Sequence, residues 1–230
     1  MQRTGLLLGE EKLARIRAAR VLVVGLGGVG SWAAEMLCRS GVGHLTLIDA
    51  DNVDVTNINR QMPALVSTVG QAKCDVVAAR LRDINPDAEI VPLNMFVDAE
   101  NIPALLDGGR FDFVVDAIDT LPQKGDLVVA CWQRGIKIVS SLGAGAKGDL
   151  SAIRRGDLWR SEHCVLGKNV RRLLREYRGR YKLPVIYSME DARKEAIAPA
   201  PGGGKPIIGT VSYYTTVFGC YLAEYVIEYI

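Results

Sequence analysis

The sequence predicts an α/β fold: a sheet of mainly parallel strands, helices on both faces, and a C-terminal strand/helix extension. Three observations predict it. Short apolar runs recur, the first of them Val-rich and stopped by Gly25, helical stretches separate them, and five such runs are complete by Ser140. Strand–helix–strand units of this kind cross over right-handedly and so build a parallel sheet. A chain of 230 residues, 49% hydrophobic and 23% charged, suits one globular domain and excludes disorder or a collagen-like fibre.

The elements follow in order. Glu10 to Ala19 reads as a short polar helix after an N-terminus expected to be disordered. Val21–Val24 is too short for a helix and reads as a buried strand, followed by a helix over Ser31–Ser40 that Gly41 ends. His44–Asp49 is the second strand, and a long polar loop runs to about Gly70. Gln71–Ile84 is a helix stopped by Asn85-Pro86. Glu89–Leu93 and Phe111–Ala117 are strands flanking a helix over Ala99–Leu106, and Leu127–Arg134 is helical before the strand Ile136–Ser140.

Beyond Ser140 the alternation loosens. Leu150–Arg154 reads as a strand leaving the pattern, a basic helix lies around Lys168–Arg178, and Leu183–Ser188 is another strand. The Pro/Gly-rich stretch Ala198–Gly209 reads as a mobile loop. Ile207–Ile230 is apolar but carries Glu224 and Glu228, so a buried helix is expected rather than a membrane span. Its inward face would be Tyr214, Val217, Phe218, Tyr221, Leu222 and Tyr225. The whole reads as one domain, 1–230, with a nucleotide-binding core over 20–140, a basic insertion over 154–182 and a crossover loop over 189–209.

Net charge is only +2, but its distribution is uneven. Residues 154–182 hold ten Lys/Arg against three acids, a net +7 that leaves the rest of the chain at −5. Such a cluster fits a polyanion such as nucleic acid, or a solvated helix face. Five dispersed cysteines, with no C-x-x-C pair, exclude a paired-cysteine zinc site and argue against a disulfide framework. The N-terminus lacks the apolar core of a signal peptide, so a reduced, cytoplasmic setting is expected.

The chemistry begins at the end of the first strand. Gly25-Leu-Gly27-Gly28-Val-Gly30 is a G-x-G-G-x-G turn opening a helix, where backbone N–H groups can approach a phosphate with no Cβ in the way. Asp49, nineteen residues after Gly30, stands where a carboxylate accepts from ribose hydroxyls. Alone, this would indicate a dinucleotide dehydrogenase. The loop that follows departs from that reading, with Asp51, Asn57, Arg60 and Gln61, then Lys73 at a helix start and Asp119 after the fourth strand. A glycine cradle, two cations and a late acid suit a triphosphate with magnesium, with Arg60 and Lys73 on phosphate oxygens and Asp119 on the metal. Taken singly, Arg60 could be a surface salt-bridging residue, Lys73 a solvated lysine and Asp119 a helix cap.

These residues together resemble the ubiquitin-activating superfamily that includes ThiF, MoeB and HesA, over roughly 20–140. The resemblance implies ATP-dependent adenylation of a carboxylate: Asp49 on ribose, Asn57, Arg60 and Lys73 on phosphates, and Asp119 on Mg2+. Gly25, Gly27, Gly28, Gly30, Asp51 and Gln61 complete the ATP site. Within the superfamily the chain is similar to the tRNA threonylcarbamoyladenosine dehydratases (the TcdA, or CsdL, group). That similarity rests on Arg3-Thr4-x-x-Leu7-Leu8-Gly9-Glu10, Gly30-Ser-Trp-Ala-Ala-Glu35, Asp116-Ala-Ile-Asp119, Ser140–Gly148, Cys164-x-Leu166 through Arg175, and Lys182–Ser188.

It implies activation of the threonyl carboxylate in tRNA and its cyclisation, a net loss of water. The attacking group would come from the substrate, so no enzyme thiol is required; Cys220 reads as a buried residue and Cys164 as a thiol near cations. Arg171, Arg172, Arg175 and Arg178 would bind tRNA. Tyr177 and Tyr181 would either stack on a base or pack in the core. A homodimer is implied, in which Arg3 reaches the partner's phosphates, and a sulfur-transfer partner protein is a further expectation. The alternative within the superfamily is adenylation of the C-terminal Gly-Gly of a small sulfur-carrier protein. A third reading is a catalytically silent nucleotide-binding scaffold.

Overall fold

In the computed structural model, which describes residues 1–200, 202–204 and 206–230, two helices, α1 (Gln2–Leu8) and α2 (Glu10–Ala18), precede the sheet. The alternation then runs β1 (Arg20–Val24), α3 (Gly30–Ser40), β2 (His44–Ile48), α4 (Lys73–Ile84) and β3 (Glu89–Leu93). It continues with α5 (Ile102–Gly109), β4 (Phe113–Asp116), α6 (Leu121–Arg134) and β5 (Lys137–Ser141). After β6 (Ile153–Asp157), α7 (Val165–Leu173) and β7 (Pro184–Ser188) come a two-stranded hairpin, β8 (Ile197–Ala198) with β9 (Ile207–Ile208), and α8 (Ser212–Tyr229).

The sheet order is β3-β2-β1-β4-β5-β7-β6, parallel throughout except that β6 pairs antiparallel with β7. From β1 the chain first winds outward to β2 and β3, then returns to place β4 and β5 on the other side. The crevice at the C-terminal ends of β1 and β4 is therefore the switch point where such sheets bind ligands.

Both faces are covered. Leu37, Val77 and Phe218 bring α3, α4 and α8 onto one face, while Leu106, Leu127 and Val170 bring α5, α6 and α7 onto the other. The basic segment contributes to this core through Leu158, Val170 and Leu174 as well as to the surface. No helix among the described residues is long and apolar enough to cross a membrane.

Several expectations need correction. The N-terminus is helical, and Met1 packs beside Gly41 at the C-terminal end of α3. Helix α6 begins at Leu121 rather than Leu127, because Lys124 in its first turn is buried and breaks the apolar period. Leu150–Ala152 is a single 3-10 turn, closed by the Asp149 carboxylate on the Ser151 N–H, and the strand follows it at Ile153. The basic helix ends at Leu173, since Leu174 turns into the core and a separate 3-10 turn covers Arg175–Tyr177.

The inward face of α8 is Tyr214, Phe218, Leu222 and Val226 at successive fourth positions, leaving Tyr221 exposed and Tyr225 half-buried. In the Pro/Gly-rich stretch Ile197 and Ala198 pair with Ile208 and Ile207, while Pro201 and Lys205 of that loop lie outside the described residues.

Candidate active site

A cleft of about 790 Å³ opens at the switch point, lined at one end by the glycine turn and at the other by Ser141–Gly145 and the β8–β9 hairpin. The glycines divide the labour. Gly25 has φ of +90°, and a Cβ there would stand 2.8 Å from the Ala117 carbonyl, so glycine is required for β1 to pass β4. A Cβ on Gly30 would collide with the Gly25 carbonyl oxygen; its role is to close the turn, and it does not line the cleft. Gly27 faces open cleft, with Gln61 Nε2 the nearest atom at 3.9 Å from a built Cβ, while Gly28 is packed by Thr215 and Arg60.

Asp49 braces this turn from the end of β2. Its Oδ2 accepts from Leu26 N at 2.6 Å and its Oδ1 from Asp51 N at 2.9 Å. Lys73 is buried, and its Nζ donates to Asp51 Oδ2 at 2.8 Å while standing 3.9 Å from Asp49 Oδ1. A backbone strap holds the lysine there: Lys73 N donates to Asp51 O, and Asn52 bridges Ala72. The cleft thus receives an ammonium carried on a rigid helix start.

The 54–61 loop supplies the second cation. Asp54 and Asn57 form a reciprocal cap, and the Thr56 hydroxyl and N–H hold the Asp54 carboxyl below its ordinary range. Arg60 Nη1 donates to Thr56 O and Asn59 Oδ1, both at 2.9 Å, which aims the guanidinium along the cleft wall. Asn57 is buried with its Oδ1 committed to Asp54 N, so it shapes the loop and does not line the cleft.

Opposite, Asp119 is exposed on the cleft wall after β4. Beneath it Asp116 and Lys124 are fully buried and 2.6 Å apart, with Ser140 Oγ donating to Asp116 and accepting from Lys124. Among the described residues no cluster of three or more His, Cys, Asp or Glu could hold a metal. An exposed carboxylate on the wall of a cleft lined by a glycine turn nevertheless fits the way Mg2+ is commonly held, by one or two carboxylates plus substrate phosphates.

The far wall is tied together at Ala146 and Lys147. Ala146 has φ of +59°; its N–H donates to Gly209 O at 2.7 Å and its carbonyl accepts from Arg193 N. The buried Lys147 donates to His163 O at 2.8 Å and Ser188 O at 3.2 Å, and burial pushes its pKa down. Cys164 caps α7, with Sγ accepting from Gly167 N, and a Cβ on Gly143 would stand 3.5 Å from that sulfur. Burial pushes the Cys38 and Cys74 thiols up to about 11 and Cys131 to about 12, so these three are protonated at neutral pH. Cys220 is only half-buried, and burial raises it too.

Outside the cleft, Arg172, Arg175 and Arg178 are exposed as a cationic surface should be. Arg171 differs: its Nη1 donates to Ser161 O and Ser161 Oγ at 2.6 Å, so its guanidinium is committed to the fold. Tyr181 stacks on Trp132 at 4.9 Å and 7°, with Tyr177 tilted beside them, which assigns both tyrosines to packing. Arg3 is exposed on α1, at the end of α3 away from the glycine turn, and does not reach the cleft of its own chain.

Sequence reasoning missed Met95-Phe96-Val97, which line the cleft after β3, and Thr210 and Thr215 across from them. Adjacency of β3 to β2 in a parallel sheet was the available signal for the first group. Nothing local marks the other two.

The ThiF family profile matches residues 2–230. The chain is similar to the tRNA threonylcarbamoyladenosine dehydratase of Bacillus subtilis (strain 168), 42% identical over 200 residues, or 84% of this chain and 78% of that protein. The protein of that name from Escherichia coli (strain K12) is 41% identical over 172 residues, covering 75% of this chain and 64% of that protein. The chain thus spans just under two thirds of the E. coli relative. The crystal structure of E. coli TcdA in complex with ATP superposes with a TM-score of 0.89 at 34% identity, covering 99% of this chain and 92% of that one.

Proposed function

The chain belongs to the ThiF family, and from that premise we propose that it is an ATP-dependent tRNA threonylcarbamoyladenosine dehydratase. The observation that carries the reading is the convergence of Gly27, Arg60, Lys73 and Asp119 on one cleft whose other end is a separate wall, Ser141–Gly145. A triphosphate and a carboxylate can lie in line there.

In the reaction a threonyl carboxylate oxygen attacks the α-phosphorus, forming the mixed anhydride and releasing pyrophosphate. A nucleophile within the same threonylcarbamoyl group then attacks the activated carbonyl, and AMP leaves. Across both steps one water is lost and no enzyme thiol takes part. The glycine turn offers N–H groups to the phosphates, while Arg60 and Lys73 supply positive charge as it builds on the leaving pyrophosphate. Asp49, already accepting two backbone N–H groups, would hold the ribose, and Asp51 keeps Lys73 in place. Mg2+ held by Asp119 would offset phosphate charge. Proximity replaces an enzyme nucleophile in the second step.

Arg172, Arg175 and Arg178 would engage the tRNA backbone. A homodimer in which Arg3 serves the partner's cleft, a cytoplasmic location and a sulfur-transfer partner complete the proposal.

AMP and pyrophosphate assays test it. Both products should appear in equal amounts with ATP and tRNA bearing threonylcarbamoyladenosine, and neither with unmodified tRNA. Release that requires a Gly-Gly-ended carrier protein instead would favour the carrier alternative.

A further inference from the structure

Helix α7 starts at the end of the cleft farthest from Asp49. Leu166 lines the cleft there, and a Cβ on Gly143 would stand 3.9 Å from Leu166 Cβ. Gly143 follows β5 and Asp49 follows β2, so three strand spacings, or about 14 Å, separate this end from the ribose end. From it α7 carries one outward stripe. Val165, Lys168 and Arg172 fall on one face at positions i, i+3 and i+7, and Arg175 follows in the next turn. All four are exposed, Val165 to 72%. Gly167, Val170 and Leu174 form the buried face, so packing makes no use of the stripe. None of its cations is ion-paired among the described residues, while the neighbouring His163 and Arg193 are, to Asp191 and Glu190.

A row of unpaired cations beside an uncovered apolar side chain, leading away from a reaction site, matches a nucleic-acid strand with its phosphates on the cations and a base on the apolar group. The other rim repels such a strand, because Asp51, Asp54 and Glu100 are exposed on the β2–β3 side. Lys168 to Arg175 spans about 10 Å at about 1.5 Å per residue, the length of about three nucleotides at about 3.4 Å each. Resting on the function proposed above, we propose that α7 guides a single-stranded flank of the modified adenosine. About three nucleotides on one side of it lie along Lys168, Arg172 and Arg175, with Val165 against the adjoining base. The flank is unpaired, since a base-paired neighbour would hide its face from Val165. Recognition is therefore local and one-sided, and a short oligonucleotide suffices in place of the tRNA body.

The test measures kcat/KM on the modified tRNA and on short RNA oligonucleotides bearing threonylcarbamoyladenosine with no flank, a 5′ flank, a 3′ flank or both. One flank alone should raise kcat/KM about tenfold, and annealing a complementary strand to it should remove the gain. The gain should fall with salt at a logarithmic slope of about −2, and Lys168→Ala or Arg172→Ala should each reduce that slope by about 0.7. Val165→Asp should lower the ratio of flanked to unflanked kcat/KM, and Val165→Leu should retain it; thermal melts report the fold of each variant. Turnover of the tRNA with no turnover of any oligonucleotide, equal gain from both flanks, no gain from either, or a gain that survives annealing overturns the guide while the dehydratase reading stands. Absence of turnover of the modified tRNA by wild type overturns both.

Discussion

Lys124 Nζ lies 2.6 Å from Asp116 Oδ2 with both side chains fully removed from water, directly beneath the segment that carries Asp119 to the cleft. The ammonium also donates to Ser140 Oγ and Ser141 O, and Asp116 Oδ1 accepts from Ile118 N. One ion pair thus joins the ends of β4 and β5 to the first turn of α6. It fixes both walls of the cleft from below.

Removing one member of such a pair leaves a buried charge without compensation. Lys124→Met is expected to destabilise the fold by about 3–5 kcal/mol. Combining it with Asp116→Leu should recover much of the loss. Urea denaturation of the single and double variants checks this, and additive losses would show that the two residues do not act as a pair.

Arg60 and Lys73 should act on the rate rather than the fold. Each alanine substitution is expected to cost on the order of a hundredfold in kcat, because each removes positive charge from developing pyrophosphate. Single-turnover measurement of pyrophosphate release separates this from weaker ATP binding.

The basic surface should divide in two. Reversing Arg172, Arg175 and Arg178 to Glu should weaken tRNA binding, lower its salt dependence by about three contacts, and spare ATP binding. Arg171→Glu should lower Tm instead, because its guanidinium holds Ser161. Filter binding across a salt series, with thermal melts alongside, distinguishes the two.

Glu35 sets a pH dependence. Burial would raise its carboxyl, but hydrogen bonds from Arg80 and Arg39 outweigh it and hold the pKa below its ordinary value. A depressed folded value means that the unfolded chain binds more protons in that window. The contribution of Glu35 and its two arginines is therefore full above the ordinary glutamate range and lost as pH falls through the folded value. Urea midpoints from about pH 7 to about pH 3 should fall less steeply for Glu35→Gln than for wild type.

The parts legible in the sequence were those encoded by local backbone demands. The glycine turn, Asp49 at a strand end and Lys73 at a helix start all reside in short segments whose conformation follows from a few neighbours. What escaped depends on contacts across the chain. Lys124 breaks the apolar period of α6 and hides its first turn until Asp116 is beneath it, and Arg171 matches its neighbours until Ser161 engages it. Asn57 and Gly30 fit a ligand motif, yet the first is committed to Asp54 and the second to Gly25. Thr210 follows a Pro/Gly-rich stretch and reaches the cleft only because Gly209 is bonded to Ala146.

ATP-dependent dehydration of threonylcarbamoyladenosine is expected at this cleft. Incubation with MgATP and modified tRNA, followed by mass spectrometry of the digested nucleosides, tests it most directly. Wild type should yield a product lighter by one water and Asp119→Ala none, with circular dichroism of the variant unchanged. Unaltered nucleoside mass with wild type and intact ATP binding would contradict it.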